Sequence, residues 1–370
     1  MEESGRLGGP VLEIDLGAIA ANWRLLATRA APAACAAVLK ADAYGLGAGP
    51  VAKALAAAGC RLFFTATLDE GISLRQAIGA AAEIAVLNGP LPNSGKEFVA
   101  AQLVPVLNEP GQIAEWRRLA ADRLGLPAIL HVDTGMARLG LAPREFTALA
   151  ETLGGPGPVR WRAVMSHLAC ADDPSHPHNK LQRTRFEAIR RHLPGVPASL
   201  AASSGIFLGS DFHFDLVRPG AALYGVNPRP GIPNLLKPTL GLRGKIVQIR
   251  EIDGGEPVGY GAGHVMAGPG RLATVAVGYA DGLLRSLSHR GCGRLAGCRV
   301  PLVGRVSMDL AVFDISALPS ASVGPGDWIE LLGTEYGVNE AARDAGTIGY
   351  EVLTALGGRC CRVYRNPSAA

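Results

Sequence analysis

Val38-Leu39-Lys40-Ala41-Asp42-Ala43-Tyr44-Gly45-Leu46-Gly47 is the stretch on which the reading of this chain turns. An apolar, β-prone run from Cys35 to Leu39 ends abruptly in a lysine, and a tyrosine and two glycines follow. Only six of the 36 basic residues are lysines, so a lysine closing what reads as a fully buried strand stands out. A strand-end lysine can simply snorkel to solvent. A desolvated one loses its charge more readily and becomes a nucleophilic amine, as Schiff-base chemistry requires. The surrounding pattern decides between the two.

Outward from Lys40, strand-like runs recur near 34–39, 61–65, 83–87, 103–107, 128–132, 160–166, 197–202 and 214–217. Segments with a 3.6-residue period separate them, for example Pro50 to Ala58 and Leu181 to Leu193. Eight strands alternating with helices predict an α/β fold, a parallel (β/α)8 TIM-type barrel. A doubly wound sheet is the alternative, but no G-x-G-x-x-G follows any of these strands. The pattern changes after Gly225, where Pro228, Pro230, Pro233 and Pro238 mark a linker. Beyond it come short runs split by Gly and Pro, with one helix expected near Glu340–Arg343. The expected layout is a tail at 1–10, a barrel at 11–227 that includes a strand at Val11–Asp15, a linker at 228–238 and a mostly β domain at 239–370.

Composition suits this plan. Hydrophobic residues make up 48% and charged residues 18%, enough for two sizeable cores. The net charge of +4 is spread without a basic block, which gives no reason to expect nucleic acid or a membrane surface as a partner. No apolar run approaches the roughly 18 residues of a membrane span, and the acidic N-terminus has no signal-peptide core. The seven cysteines are odd in number and form no C-x-x-C pair, as expected of reduced thiols in the cytoplasm rather than disulfides or a metal site.

The unusual polar residues fall at strand ends. Lys40 follows strand one, Arg138 strand five and His167 strand six, while Ser204 follows strand seven and Arg218 with Gly220 follows strand eight. In a (β/α)8 barrel these points share one mouth, where active sites sit. Loops after strands seven and eight commonly cradle a phosphate. A lysine and a phosphate site in one mouth suggest pyridoxal 5'-phosphate (PLP). Were Arg218 to face the pyridine nitrogen it could only donate, leaving that nitrogen unprotonated and favouring proton transfer at Cα over deeper carbanion chemistry.

With these residues in place, the chain resembles the bacterial alanine racemases, PLP enzymes built from a barrel and a β domain. The likeness runs through Val38–Gly47, Val132–Gly140, Ser166–Ala169, Arg218–Gly220, Val258–Gly261, Val277–Gly282 and Gly304–Asp309. The resemblance implies that Lys40 carries the cofactor and serves as base on one face of the substrate alanine. Tyr260, from the partner of a homodimer with shared active sites, would be the base on the other. Tyr44, Ser204, Gly220, Ala221 and Tyr350 would hold the phosphate and Arg218 the ring nitrogen. His167 would lie between Arg218 and Tyr260, Arg138 and the Met308 backbone would receive the substrate carboxylate, and Tyr279 with Tyr350 would narrow the way in. It also implies no metal.

Two positions depart from the family pattern. His131 stands where the family often has a carbamylated lysine, seven residues before Arg138, and Ser203 stands where it often has asparagine. Histidine cannot form the carbamate, so an anion, most simply chloride, is expected to take its place beside Arg138. A broad-specificity or serine racemase of the same family would keep these motifs. A non-catalytic single-barrel PLP protein would lack the β domain. A two-domain PLP decarboxylase would carry a Cys-Asp pair, absent after Pro238.

Overall fold

The structure is a computed structural model and describes residues 9–365 apart from 81, 122, 124, 154–156 and 320–322. Most of the tail expected at 1–10, and the last five residues of the second domain, lie outside the described residues.

The first strand, β1 (Val11–Asp15), is followed by the broken strand β2 (Ala34–Cys35) and β3 (Ala37–Val38). Then come β4 (Leu62–Thr65), β5 (Glu83–Val86), β6 (Val104–Leu107), β7 (Leu126–His131), β8 (Val159–Met165), β9 (Ala198–Ser199) and β10 (Leu216–Val217). Strands β3 to β9 form one parallel sheet in chain order. β10 pairs in parallel with β2, and a bridge between Ala202 and Arg218 ties it to the strand on its other side. The ring therefore closes as a barrel. Its strands are buried on both faces, as the continuous run Val104–Leu107 shows, because helices such as Ala48–Ala58 and His178–Arg190 cover the outside.

β1 corrects the expected layout. It pairs antiparallel with β11 (Leu240–Ile252) and so joins the second domain's sheet, not the barrel. Its residues say why: Leu12 and Ile14 are buried while Glu13 between them pairs with Arg243 and Arg365. That alternation belongs to a half-buried antiparallel strand.

The second domain continues with β12 (Pro257–Val258), β13 (His264–Val265), β14 (Gly270–Val275), β15 (Cys292–Leu295), β16 (Cys298–Val303), β17 (Ala311–Asp314), β18 (Trp328–Leu332) and β19 (Cys361–Arg365). The sheet runs β14-β17-β16-β15-β18-β11, and β14 also pairs with β11, so six strands close on themselves. β1 and β19 extend the ring, with β19 parallel to β1. Two helices follow β18, Val338–Ala345 where one is expected and Gly349–Ala355 where none is. The unexpected one carries Tyr350.

Candidate active site

Leu39 N–H still donates to Phe64 O at 2.7 Å, and the chain leaves the sheet at Lys40. It then makes a left-handed turn: Ala41, Asp42, Ala43 and Tyr44 have φ of 53°, 53°, 54° and 57°, and Gly45 ends the turn at 85°. Ala43 N–H donates to Leu39 O and Gly45 N–H to Ala41 O, both at 2.8 Å. Left-handed helical geometry costs L-residues roughly 1–2 kcal/mol each, so surrounding contacts must hold this turn. Glu70 is one anchor, accepting Ala41 N–H at 2.8 Å and Ala66 N–H at 2.7 Å through its two oxygens. Asp42 is another, accepting Ala48 N–H at 2.7 Å, and serves the turn rather than proton transfer. Glu70 was legible as the closing residue of a Thr67-x-x-Glu70 capping box, but its reach to Ala41 was not.

Lys40 is half-buried, and its side chain has no hydrogen bond or ion pair among the described residues. Burial, then the charge of Arg138, lower its pKa, against a smaller opposing pull from Glu70. This is the tuning a nucleophilic, proton-accepting amine needs. Arg218, next to β10, is buried at 3% exposure and donates to Ser199 Oγ and, at 2.7 Å, to Ser166 O. No carboxylate balances it among the described residues, and burial pushes its pKa down to about 10. A fixed guanidinium with unspent donors suits a neutral ring nitrogen.

His167, at the end of β8, is pushed down to about 3 by burial and by the charges of Arg218, Arg138, His131 and Lys40. Lys40, Arg138, His167 and Arg218 follow barrel strands β3, β7, β8 and β10, and their charges act on one another. Behind them a polar net fixes the loops: Thr134 and Ser166 share a 2.7 Å hydrogen bond, and Gln182 donates to Thr134 Oγ1 and to His167 O.

His131 closes β7. Asn108 Nδ2 donates to Leu87 O and Val106 O, both at 3.0 Å, so its Oδ1 must accept from His131 Nδ1 at 2.7 Å. The ring is thus a neutral Nδ1–H tautomer whose Nε2 presents a lone pair. Burial and Arg218 push its pKa down to about 3. This neutral ring brings no charge of its own to Arg138, beside which the sequence leads to an anion.

The loops expected to meet a phosphate are equally specific. Ser203 Oγ accepts Gly220 N–H at 3.0 Å and Ala222 N–H at 3.2 Å, joining the loops after β9 and β10. Gly220 therefore contributes shape rather than a free donor. A Cβ on it would lie 2.4 Å from Tyr44 Oη, so only glycine lets that phenol rest against the loop. Among the described residues no protein acceptor meets the N–H of Ser204 or of Ala221, each of which opens a short 3-10 turn. Tyr350 reaches the same place, its ring 6.0 Å from that of Tyr44. Free N–H groups at turn starts, two phenols and a glycine cradle fit a phosphate, and Lys40 with Arg218 fits the ring of PLP.

Tyr260 and Met308 are placed differently. Tyr260 lies in a short turn between Gly259 and Gly261 (φ 73° and 72°), and is 71% exposed. Met308 is 54% exposed, and its O accepts Ala280 N–H at 3.0 Å beside Tyr279. Among the described residues neither is hydrogen-bonded to the Lys40 group. Sequence reasoning gave no role to Asn108, Ser166, Ser199 or Gln182. Asn108 could have been found as one more polar residue at a barrel strand end.

A lysine on the first strand of a parallel barrel, facing phosphate-type loops after the last two, defines a barrel enzyme of the PLP-lysine class. The chain belongs to the alanine racemase family, whose enzymes are PLP-dependent isomerases: the model of the alanine racemase N-terminal domain matches residues 14–228 and that of the C-terminal domain 239–364. It is 50% identical over 357 residues to the catabolic alanine racemase of Mesorhizobium japonicum, covering 96% of this chain and 93% of that one. It is 50% identical over 360 residues to the alanine racemase of Rhodospirillum rubrum, with 96% and 95% covered. The crystal structure of alanine racemase from Bartonella henselae with covalently bound pyridoxal phosphate superposes with a TM-score of 0.92 at 40% identity, over 97% of this chain and 100% of that chain.

Proposed function

We propose that the chain interconverts L- and D-alanine as a PLP-dependent racemase using two bases, Lys40 and the Tyr260 of a second copy. The observation that supports this reading is a desolvated Lys40 in one domain and an exposed Tyr260 in the other, neither side chain hydrogen-bonded among the described residues. Bound PLP would supply an electron sink for the charge that develops at Cα as the α-proton leaves. Lys40 takes or returns that proton on one face, and Tyr260 does so on the opposite face. Arg218 donates only, which leaves the ring nitrogen unprotonated and limits the chemistry to reprotonation at Cα. His167, kept neutral, can relay the proton of Tyr260. Tyr44, Ser204, Ala221 and Tyr350 hold the phosphate, with Gly220 shaping the cradle. Arg138 and the Met308 N–H receive the substrate carboxylate, with the neutral ring of His131 orienting Arg138.

Homodimerisation is part of this proposal, supported by Tyr260, Tyr279 and Met308 being exposed apolar or aromatic surface in the single chain. Every cysteine is a free thiol, in keeping with a reducing cytoplasm, and no helix among the described residues is long and apolar enough to cross a membrane. Racemisation rates of purified protein across a panel of L-amino acids test the proposal. Alanine should be turned over at least tenfold faster than serine or larger residues. Comparable rates would make this a broad-specificity racemase, and none with any amino acid would leave a non-catalytic PLP protein.

A further inference from the structure

Arg362, in β19, reaches across the sequence to the turn that bears the reactive lysine. Its Nε and Nη2 donate to Gly45 O at 3.1 and 2.8 Å. Nη2 also donates to Leu356 O at 3.2 Å, and Nη1 to Gly357 O at 3.2 Å and Cys360 O at 3.5 Å. No carboxylate pairs with this guanidinium among the described residues; it faces carbonyls alone. Gly45 O closes the left-handed turn that carries Lys40 and Tyr44, and Leu356 caps the helix Gly349–Ala355 that carries Tyr350. Terminal carbonyls of turns and helices attract a cation, and a rigid planar fork with five donors spans several such groups in fixed directions, where an ammonium is a compact charge on a flexible stem.

The fit around this clamp is close. A Cβ on Gly45 would lie 2.8 Å from Leu353 O, and one on Gly47 would lie 2.0 Å from Tyr364 Oη. Residues 353–364 of the second domain thus bear on both ends of the Gly45-Leu46-Gly47 segment. The two phenols at the phosphate end, Tyr44 and Tyr350, stand on the two elements that Arg362 joins.

We infer that Arg362 is a positioning residue for the cofactor: it locks the Lys40–Tyr44 turn to the Tyr350 helix and so sets the spacing of the two phenols around the phosphate. The inference rests on the PLP reading of the site. Its test compares Arg362→Ala, Arg362→Lys and Arg365→Ala as purified apoprotein titrated with PLP, followed by the absorbance of the lysine-bound cofactor. Arg365 lies on the same strand and pairs with Glu13 away from the turn, so it controls for loosening of β19.

Arg362→Ala should raise the PLP dissociation constant at least tenfold and Arg362→Lys by an intermediate factor. KM for alanine at saturating PLP should stay within twofold of wild type. Arg365→Ala should leave PLP affinity within twofold whatever it does to the melting temperature. Should Arg362→Ala not fold, Arg362→Lys carries the comparison alone. Unchanged affinity in a folded Arg362 variant, or equal shifts at Arg362 and Arg365, would overturn the inference while leaving the PLP reading intact. Failure of the wild type to take PLP on Lys40 would overturn both.

Discussion

Arg218 is sunk at the barrel mouth and held by Ser199 and Ser166, whereas Tyr260, in the second domain, stands 71% exposed with no hydrogen bond among the described residues. The same contrast holds around them. The Lys40 turn is fixed by Glu70 and Arg362, and the loops after β9 and β10 are cross-linked by Ser203. Met308 and Tyr279 form an open ledge by comparison. One half of the site is pre-organised by a single chain. The proposed other half is an outward-facing surface, which under that proposal acts only when a second copy brings a barrel mouth against it. Pre-organised groups lose little on binding and act at once, while a composite site is active only as an assembly.

The largest effect expected from breaking this contrast lies on the pre-organised side. Lys40→Ala removes the attachment point and one base together, so racemisation should fall by several orders of magnitude. The wild-type protein reduced with borohydride should carry its cofactor on a peptide containing Lys40. An adduct on any other lysine would move the site elsewhere.

Next comes the exposed side. Tyr260→Phe keeps the ring and removes the hydroxyl, so it should slow removal of the α-proton from one enantiomer by about 10²–10⁴ while partly sparing the other. Single-turnover exchange of the α-proton of L- and D-alanine with solvent reads this directly. Equal losses for both enantiomers would contradict opposite-face bases.

The smallest effect concerns His131. Its folded pKa of about 3 lies below the roughly 6.5 of an unfolded histidine, so between those values the unfolded chain binds more protons. That difference makes stability rise with pH: the contribution is complete above about 6.5 and is lost as pH falls towards 3. His131→Asn should therefore flatten the stability profile between pH 5 and 6.5, by at most about 1.4 kcal/mol per pH unit. The same variant should raise KM for alanine several-fold with kcat little changed. Wild-type KM should be indifferent to bicarbonate and fall as chloride is added. A KM flat with chloride would remove the anion from between Arg138 and its surroundings.

Much of the pre-organised half was legible because barrel topology turns strand ends into a map: once eight buried runs are counted, Lys40, Arg138, His167, Ser204 and Arg218 must share a mouth. The assignment of β1 failed because five residues cannot say which sheet they join; Glu13's partners, Arg243 and Arg365, lie more than 200 positions away. The Gly349–Ala355 helix was missed because it is a short helix with β-branched Val352 and Thr354, a weak local signal that tertiary packing overrides. Arg362's grip on Gly45 O spans 317 positions and leaves no local trace. Tyr260 and Met308 were visible only as members of a family pattern. Nothing in their own neighbourhoods distinguishes them from ordinary surface residues.

The claim that the active site is shared is tested most directly by mixing two inactive proteins. Lys40→Ala and Tyr260→Phe subunits, exchanged under conditions verified with differently tagged chains, give heterodimers in which one composite site has both lysine and tyrosine intact. Each homodimer alone lacks a base in every site. The account predicts recovery of racemisation in both directions, approaching half the wild-type rate per heterodimer. Verified subunit exchange with no recovery would contradict it.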